Sequence, residues 1–243
     1  MPPVARRQHE VSRLEGFSDA VFGFALTLLV VSLEIPPSVS RLLEVAADFG
    51  PFALTFAMVG WIWWEHNVFF RRYGLQDPWT AFLNLVLLFV VLFYVYPLKF
   101  LAIQIVGLVT GGDSTWGETI GEARGLMLVY SAGVVMIFGC FVLLYRHAWT
   151  RRDRLGLDAR DLIELTFGAR SHAISMGLGV LSMLIVAANA NWAAVAGMIY
   201  VLMGPLHAWN GYQQGAALAR FDAAGAADTP DAGAPSPPPR AVP

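Results

Sequence analysis

Arginine, serine and aspartate stand at the mouth of the first long apolar run. Arg13-Leu14-Glu15-Gly16-Phe17-Ser18-Asp19 opens a stretch that stays apolar over 16–35. A charge inside lipid costs up to about 3 kcal/mol at the centre of a span and less near the interface. Asp19 therefore reads as a residue the protein uses, the alternative being a carboxylate that snorkels to the interface. A second polar group interrupts the next apolar run, at Trp63-Trp64-Glu65-His66-Asn67. Imidazole beside carboxylate suggests proton relay or metal ligation. Two metal ligands on one helix stand three or four residues apart, whereas Glu65 and His66 are adjacent and point in different directions. No metal site is expected. No nucleophile or metal set converges inside the apolar runs, so the chain does not read as an enzyme, and it calls for no cofactor. His172 and His207 read as isolated structural histidines, and Asn84 as a helix–helix hydrogen-bonding group.

The elements that must position these residues are apolar helices. The 243 residues are 56% hydrophobic and only 14% charged, against about 25% charged in a soluble domain. The mean hydropathy is +0.56. A span needs about 20 residues to cross a roughly 30 Å hydrocarbon core. Six spans are expected, over 16–35, 47–70, 78–101, 122–145, 169–188 and 191–213, giving an all-α membrane protein. Pro36-Pro37 ends the first. Asp77 caps the third before Pro78. Gly204-Pro205 predicts a kink in the sixth. Residues 1–215 form one transmembrane domain. Residues 216–243, rich in Ala and Pro, are expected to be disordered. The single cysteine, Cys140, forms no intrachain disulfide.

Arginines set the orientation, because cytoplasmic loops collect Lys and Arg. With six spans, Arg6, Arg7, Arg13, Arg71, Arg72, Arg146, Arg151, Arg152, Arg154, Arg160, Arg170, Arg220 and Arg240 fall on one side. Only Arg41, Lys99 and Arg124 fall on or near the other. Both termini are then cytoplasmic, and the protein sits in the plasma membrane as a multi-pass chain. The net charge of −2 suggests no nucleic-acid partner.

Helical spacing puts Phe24, Leu28 and Val31 of the first span on one face, with Thr27 beside them. On spacing alone, lipid or core packing is the favoured explanation of such a stripe. Asp19 lies five residues before Phe24, about 140° round the helix, so it points into the protein. Span two runs inward, which brings His66 to a similar depth. Arg13, Ser18, Asp19, Trp63 or Trp64, and His66 are expected to form a polar lock that orients the first span, since polar groups in lipid need partners.

The pattern R-x-x-x-F-S-D, here Arg13, Phe17, Ser18 and Asp19, followed by an apolar helix, resembles the signature of the transmembrane protein 175 family of potassium channels, prokaryotic branch. Trp63, Trp64, His66 and Asn84 resemble the family's second- and third-span residues. The resemblance implies a homotetramer in which four first-span helices surround a potassium-permeable pore. It places an apolar constriction at Phe24, commonly Ile or Leu in the family, with further rows at Leu28 and Val31. It links the Thr27 hydroxyl to selectivity. The partners it implies are potassium ions, the bilayer and three further copies of the chain. The competing reading is a secondary transporter of a small solute or ion. That class typically shows internal repeats or paired broken helices near the midplane.

Overall fold

The computed structural model describes residues 11–31, 38–39, 49–111 and 119–227, and within them it is helical throughout, with no strand. The first helix, α1 (Arg13–Val31), starts at a capping box. The Ser12 N–H donates to Glu15 Oε2 at 2.8 Å and the Glu15 N–H to Ser12 Oγ at 3.1 Å, pairing two backbone donors that the helix leaves free. Helix α2 (Phe49–Tyr73) stops at Gly74, whose φ of 56° lies in the left-handed region that a Cβ disfavours. Helix α3 (Pro78–Thr110) opens on the Asp77 cap, as expected, and closes at Gly111.

Helix α4 (Ile120–Thr150) and the short α5 (Arg152–Leu155) turn the chain into α6 (Ala159–Ala188). Single 3₁₀ turns flank α7 (Ala193–Met198) before the last helix, α8 (Met203–Ala227). The predicted span ends at Pro36-Pro37, the acidic residues Glu34, Asp113 and Glu118, and the tail over 228–243 lie outside the described residues, as do Arg6, Arg7, Arg41 and Arg240.

Several boundaries differ from expectation, each for a local reason. Helix α3 continues past 101 because 102–109 is apolar but for Gln104 and holds no proline; Gly107 is tolerated inside it, and Pro97 does not end it. Helix α6 begins ten residues before the expected 169, since Asp158 and Asp161 form a capping box and nothing after them breaks the helix. The charged stretch over 146–168 ends α4, forms α5 and opens α6. The sixth span is interrupted at 199–202, just before Gly204-Pro205. Pro205 has no N–H for the carbonyl of residue 201 and crowds it, so the strain falls one turn upstream. Helix α8 runs past the expected domain end at 215. Residues 216–227 are mostly alanine, the best helix former, and the Arg160 guanidinium donates to Asp222 Oδ1 at 2.7 Å.

Helix α3 is the centre of the bundle. Leu87, Val91, Tyr94 and Val95 are buried against α1, α2 and α4. The Tyr94 hydroxyl donates to the Val129 and Tyr130 carbonyls at the place where Gly133 lets the ring reach the α4 backbone. A Cβ on Gly133 would overlap that ring. Helix α6 packs antiparallel on α4. Ser131 meets Ser182 at one end of the pair, and the Tyr145 ring covers Gly168 at the other. Helix α8 lies on α6 and is mostly exposed.

By length and composition, five described segments are able to cross a membrane: α1, α3, α4, α6 and residues 190–224. Helix α2 is long enough, at 25 residues, but Trp61, Trp63, Trp64, Glu65, His66 and Asn67 lower its hydropathy.

Asp77 ties two helix ends together. Its Oδ1 accepts from the Trp79 N–H at 3.1 Å. Its Oδ2 accepts from the Thr80 hydroxyl at 2.7 Å and lies 2.9 Å from His147 Nε2 on α4. Burial alone would raise this carboxyl. The Thr80 and His147 hydrogen bonds outweigh it and hold the group at about 2, below its ordinary 3.8. A carboxyl depressed by folding contributes stability above its ordinary pKa and loses it as pH falls through the folded value. Between about pH 4 and pH 2 the melting temperature in detergent should therefore fall more steeply in the parent than in Asp77→Asn. Parallel curves would mean that the carboxylate is not an anchor.

Candidate pore helix and its polar anchor

Two faces of α1 have opposite surroundings. Ser18, Phe22, Ala25 and Leu29, spaced four, three and four, are buried against α2 and α3. Phe22 also meets the His66 ring, centroid to centroid at 5.5 Å. On the far side, Phe17, Phe24 and Val31 are 52%, 68% and 72% exposed, and Leu28 is 38% exposed. Gly23 and Thr27 are exposed too. The Thr27 hydroxyl donates to the Gly23 carbonyl at 2.8 Å, one turn back in its own helix. The chain therefore covers one face of α1 and leaves an apolar row uncovered.

A hydrogen-bond chain pins the covered face. The Ser18 hydroxyl donates to the Leu14 carbonyl at 2.8 Å. Ser18 Oγ then accepts from Asn84 Nδ2 at 2.9 Å. This leaves Asn84 Oδ1 facing His66 Nε2 at 2.8 Å. An amide oxygen has no proton to give, so the His66 tautomer with a proton on Nε2 is selected. Ser18 and Asn84 are fully buried and His66 is 1% exposed. At the rim, the Trp63 indole N–H donates to Asp19 Oδ1 at 2.8 Å. Helices α1, α2 and α3 are thus joined at one level.

The single chain does not bring the whole expected lock together. Asp19 and His66 meet Trp63 and Asn84 respectively, with no hydrogen bond between them. Trp64 is 58% exposed and turns outward, and Phe17 lies on the uncovered face. Arg13 is exposed, and among the described residues it has no hydrogen-bond or ion-pair partner.

Comparison with known proteins places this arrangement. A family model described as the endosomal/lysosomal potassium channel TMEM175 matches residues 13–94, the segment that carries α1, the anchor and about half of α3. A potassium channel of Marivirga tractuosa is 35% identical over 217 residues, covering 84% of this chain and 88% of the relative. The chain belongs to the TMEM175 family.

A potassium channel of Chamaesiphon minutus is 29% identical over 182 residues, covering 72% of this TMEM175 chain and 83% of its own. Among solved structures, a variant of the potassium channel MtTMEM175, crystallised with a nanobody–MBP fusion protein, matches with a TM-score of 0.77 at 34% identity. The match covers 88% of this chain and 98% of that one. A TMEM175 homologue from Chamaesiphon minutus shares the fold, with a TM-score of 0.54 at 23% identity over 83% and 96% of the two chains.

This TMEM175 chain also joins polar residues whose pairing the linear sequence hides. His172 is not isolated. It stacks on Phe141 at 4.6 Å, and its Nε2 lies 3.5 Å from Glu65 Oε2, linking α6 to α2. His207 lies between the Ser171 and Ser175 hydroxyls, at 2.8 and 2.9 Å. Ser131, Ser182 and the Tyr200 hydroxyl form a second buried group that fastens α4, α6 and the 3₁₀ turn. Each pairing joins residues more than 30 positions apart, and only the helix register brings them together. Among the described residues, no group of three or more metal-ligating side chains converges.

Proposed function

We propose that the chain is a potassium channel of the plasma membrane in which four copies of α1 surround the path. The observation that carries this reading is the uncovered row of Phe24, Leu28 and Val31, opposite the face that Ser18, Asn84 and His66 hold. One subunit offers a single such helix, and several copies are needed to close a conduit. In this arrangement Phe24 forms the narrowest ring. Leu28 and Val31 continue the wall, and Thr27 places a hydroxyl beside the neck. An apolar constriction of this kind gates by dewetting. Ser18, Asp19, Trp63 and His66 orient α1, with Arg13, Phe17 and Trp64 presented outward toward neighbouring copies or lipid.

Six crossings are proposed: α1, α2, α3, α4, α6 and the interrupted α7–α8. The ion pairs of Arg72 with Glu164 and of Arg160 with Asp222, and the His147–Asp77 contact, gather the ends of α2, α4 and α8 and the starts of α3 and α6 at one end of the bundle. The basic clusters share that end, which supports its assignment to the cytoplasmic side together with both termini. The break at 199–202 has no paired break among the described helices, which favours a channel over an alternating-access transporter.

Purified protein in liposomes is expected to pass potassium down its gradient without a coupled substrate, and to have the mass of four chains in nanodiscs. Flux that requires a co-substrate would favour the transporter. Flux from an intact monomer would remove the fourfold pore.

A further inference from the structure

We propose that the groove between α3 and α4 at the basic end of the bundle binds one anionic phospholipid from the cytoplasmic leaflet. The groove encloses about 310 Å³ and is lined by Trp79, Leu143, Arg146, His147 and Thr150. Its polar end is uncompensated. The acid near it, Asp77, is bonded to His147, and among the described residues Arg146 has no ion-pair or hydrogen-bond partner. Arg146 and Thr150 lie one turn apart on the same face of α4. The Arg146 guanidinium gives charge-assisted hydrogen bonds to one phosphate, and the Thr150 hydroxyl, which donates to the His147 carbonyl at 2.7 Å, stands at its edge.

Below that mouth the two helices supply a wall for acyl chains. On α4, Leu143 and Met136 continue the Arg146 face and are 41% and 44% exposed. On α3, Phe82 and Phe89 are 54% and 71% exposed, and the Trp79 and Phe82 rings stack at 5.6 Å. The helices are antiparallel, with Asp77 against His147 at one end and Tyr94 against Tyr130 at the other. Trp79 and Leu143 line the groove itself, and Phe82, stacked on Trp79, with Phe89 two turns on, continues the Trp79 side of α3. From Arg146 to Met136 is about 15 Å of helix, roughly half of the bilayer's hydrocarbon core. The charge selects the ligand: a zwitterionic lipid brings its own cation to Arg146, whereas phosphatidylglycerol brings only the phosphate.

The proposal rests on the membrane orientation given above, and its test is read apart from ion flux. The channel is purified in detergent, incubated with equal amounts of phosphatidylglycerol and phosphatidylcholine, and the bound lipid is identified by native mass spectrometry. A preference of about five-fold for phosphatidylglycerol is expected, the share of one arginine near an anionic surface. It should be lost in Arg146→Gln and kept in Arg154→Gln, whose arginine is exposed on α5 and does not line the groove. No preference in the parent, equal loss in both variants, or displacement of the lipid by free glycerol phosphate would each overturn the site. If Arg146→Gln does not fold, the parent still decides. Brominated phosphatidylglycerol should quench the fluorescence component that Trp79→Phe removes, and more than brominated phosphatidylcholine does; equal quenching overturns the site. Potassium flux that persists in Arg146→Gln while lipid preference is lost leaves the channel reading untouched.

Discussion

Asn84→Ala is expected to destabilise the protein more than any change at Asp19. The amide bonds Ser18 on α1 and His66 on α2 at once, and all three groups are buried. Removing it leaves the His66 Nε2–H without an acceptor, at a cost of about 1–3 kcal/mol before any cavity is counted. The Ser18 hydroxyl keeps its bond to the Leu14 carbonyl, so the damage centres on the imidazole. Asp19 stands at the exposed rim, where water replaces its bond to Trp63, and Asp19→Ala should cost about 1 kcal/mol or less. Melting of the two variants in detergent, beside the parent, checks the order. If Asp19→Ala melts as low as Asn84→Ala or lower, the anchor centres on the carboxylate and not on the buried amide.

That ranking shows which parts of the site the sequence carries. The level of the anchor is legible because span direction and depth follow from hydropathy and arginine placement. They put Asp19 and His66 at one height before any contact is known. The partner of each is not legible, because partner choice depends on how far each helix is rotated about its axis. Trp63 rather than Trp64 reaches Asp19, and that is a rotation of about 100°. Asn84 announces itself as a polar residue in an apolar helix, yet its role as the hub needs both neighbours in place. Local chemistry fares better. Asp77 before Pro78 caps α3 as read, since a cap depends on four residues and nothing else. The Gly204-Pro205 kink appears one turn early because a proline disturbs the carbonyl four residues before it. The Glu65–His172 contact had no local signal at all. The residues stand 107 apart, and each alone looks like a stray polar group.

Phe24→Ala is expected to raise ion flux by about ten-fold, which asks for only about 1.4 kcal/mol less barrier. Phe24 is 68% exposed in the single chain, on the side of α1 away from everything the subunit packs against. In a fourfold pore its four rings meet at one level, and an apolar neck that narrow excludes water as well as ions. Truncation to a methyl group widens and wets the neck, so sodium should pass more freely along with potassium. The fold should survive, because the ring contributes no buried contact within the subunit. Thr27→Ala tests the same face differently. Its hydroxyl already has an acceptor in the Gly23 carbonyl, so its loss leaves no buried group unpaired and should change ion preference more than rate. If α1 instead turns this face to lipid, both substitutions leave conductance alone. Purified Phe24→Ala and Thr27→Ala proteins, compared with the parent for potassium and sodium flux in liposomes, separate the cases. Unchanged rate and unchanged preference in both would remove α1 from the ion path.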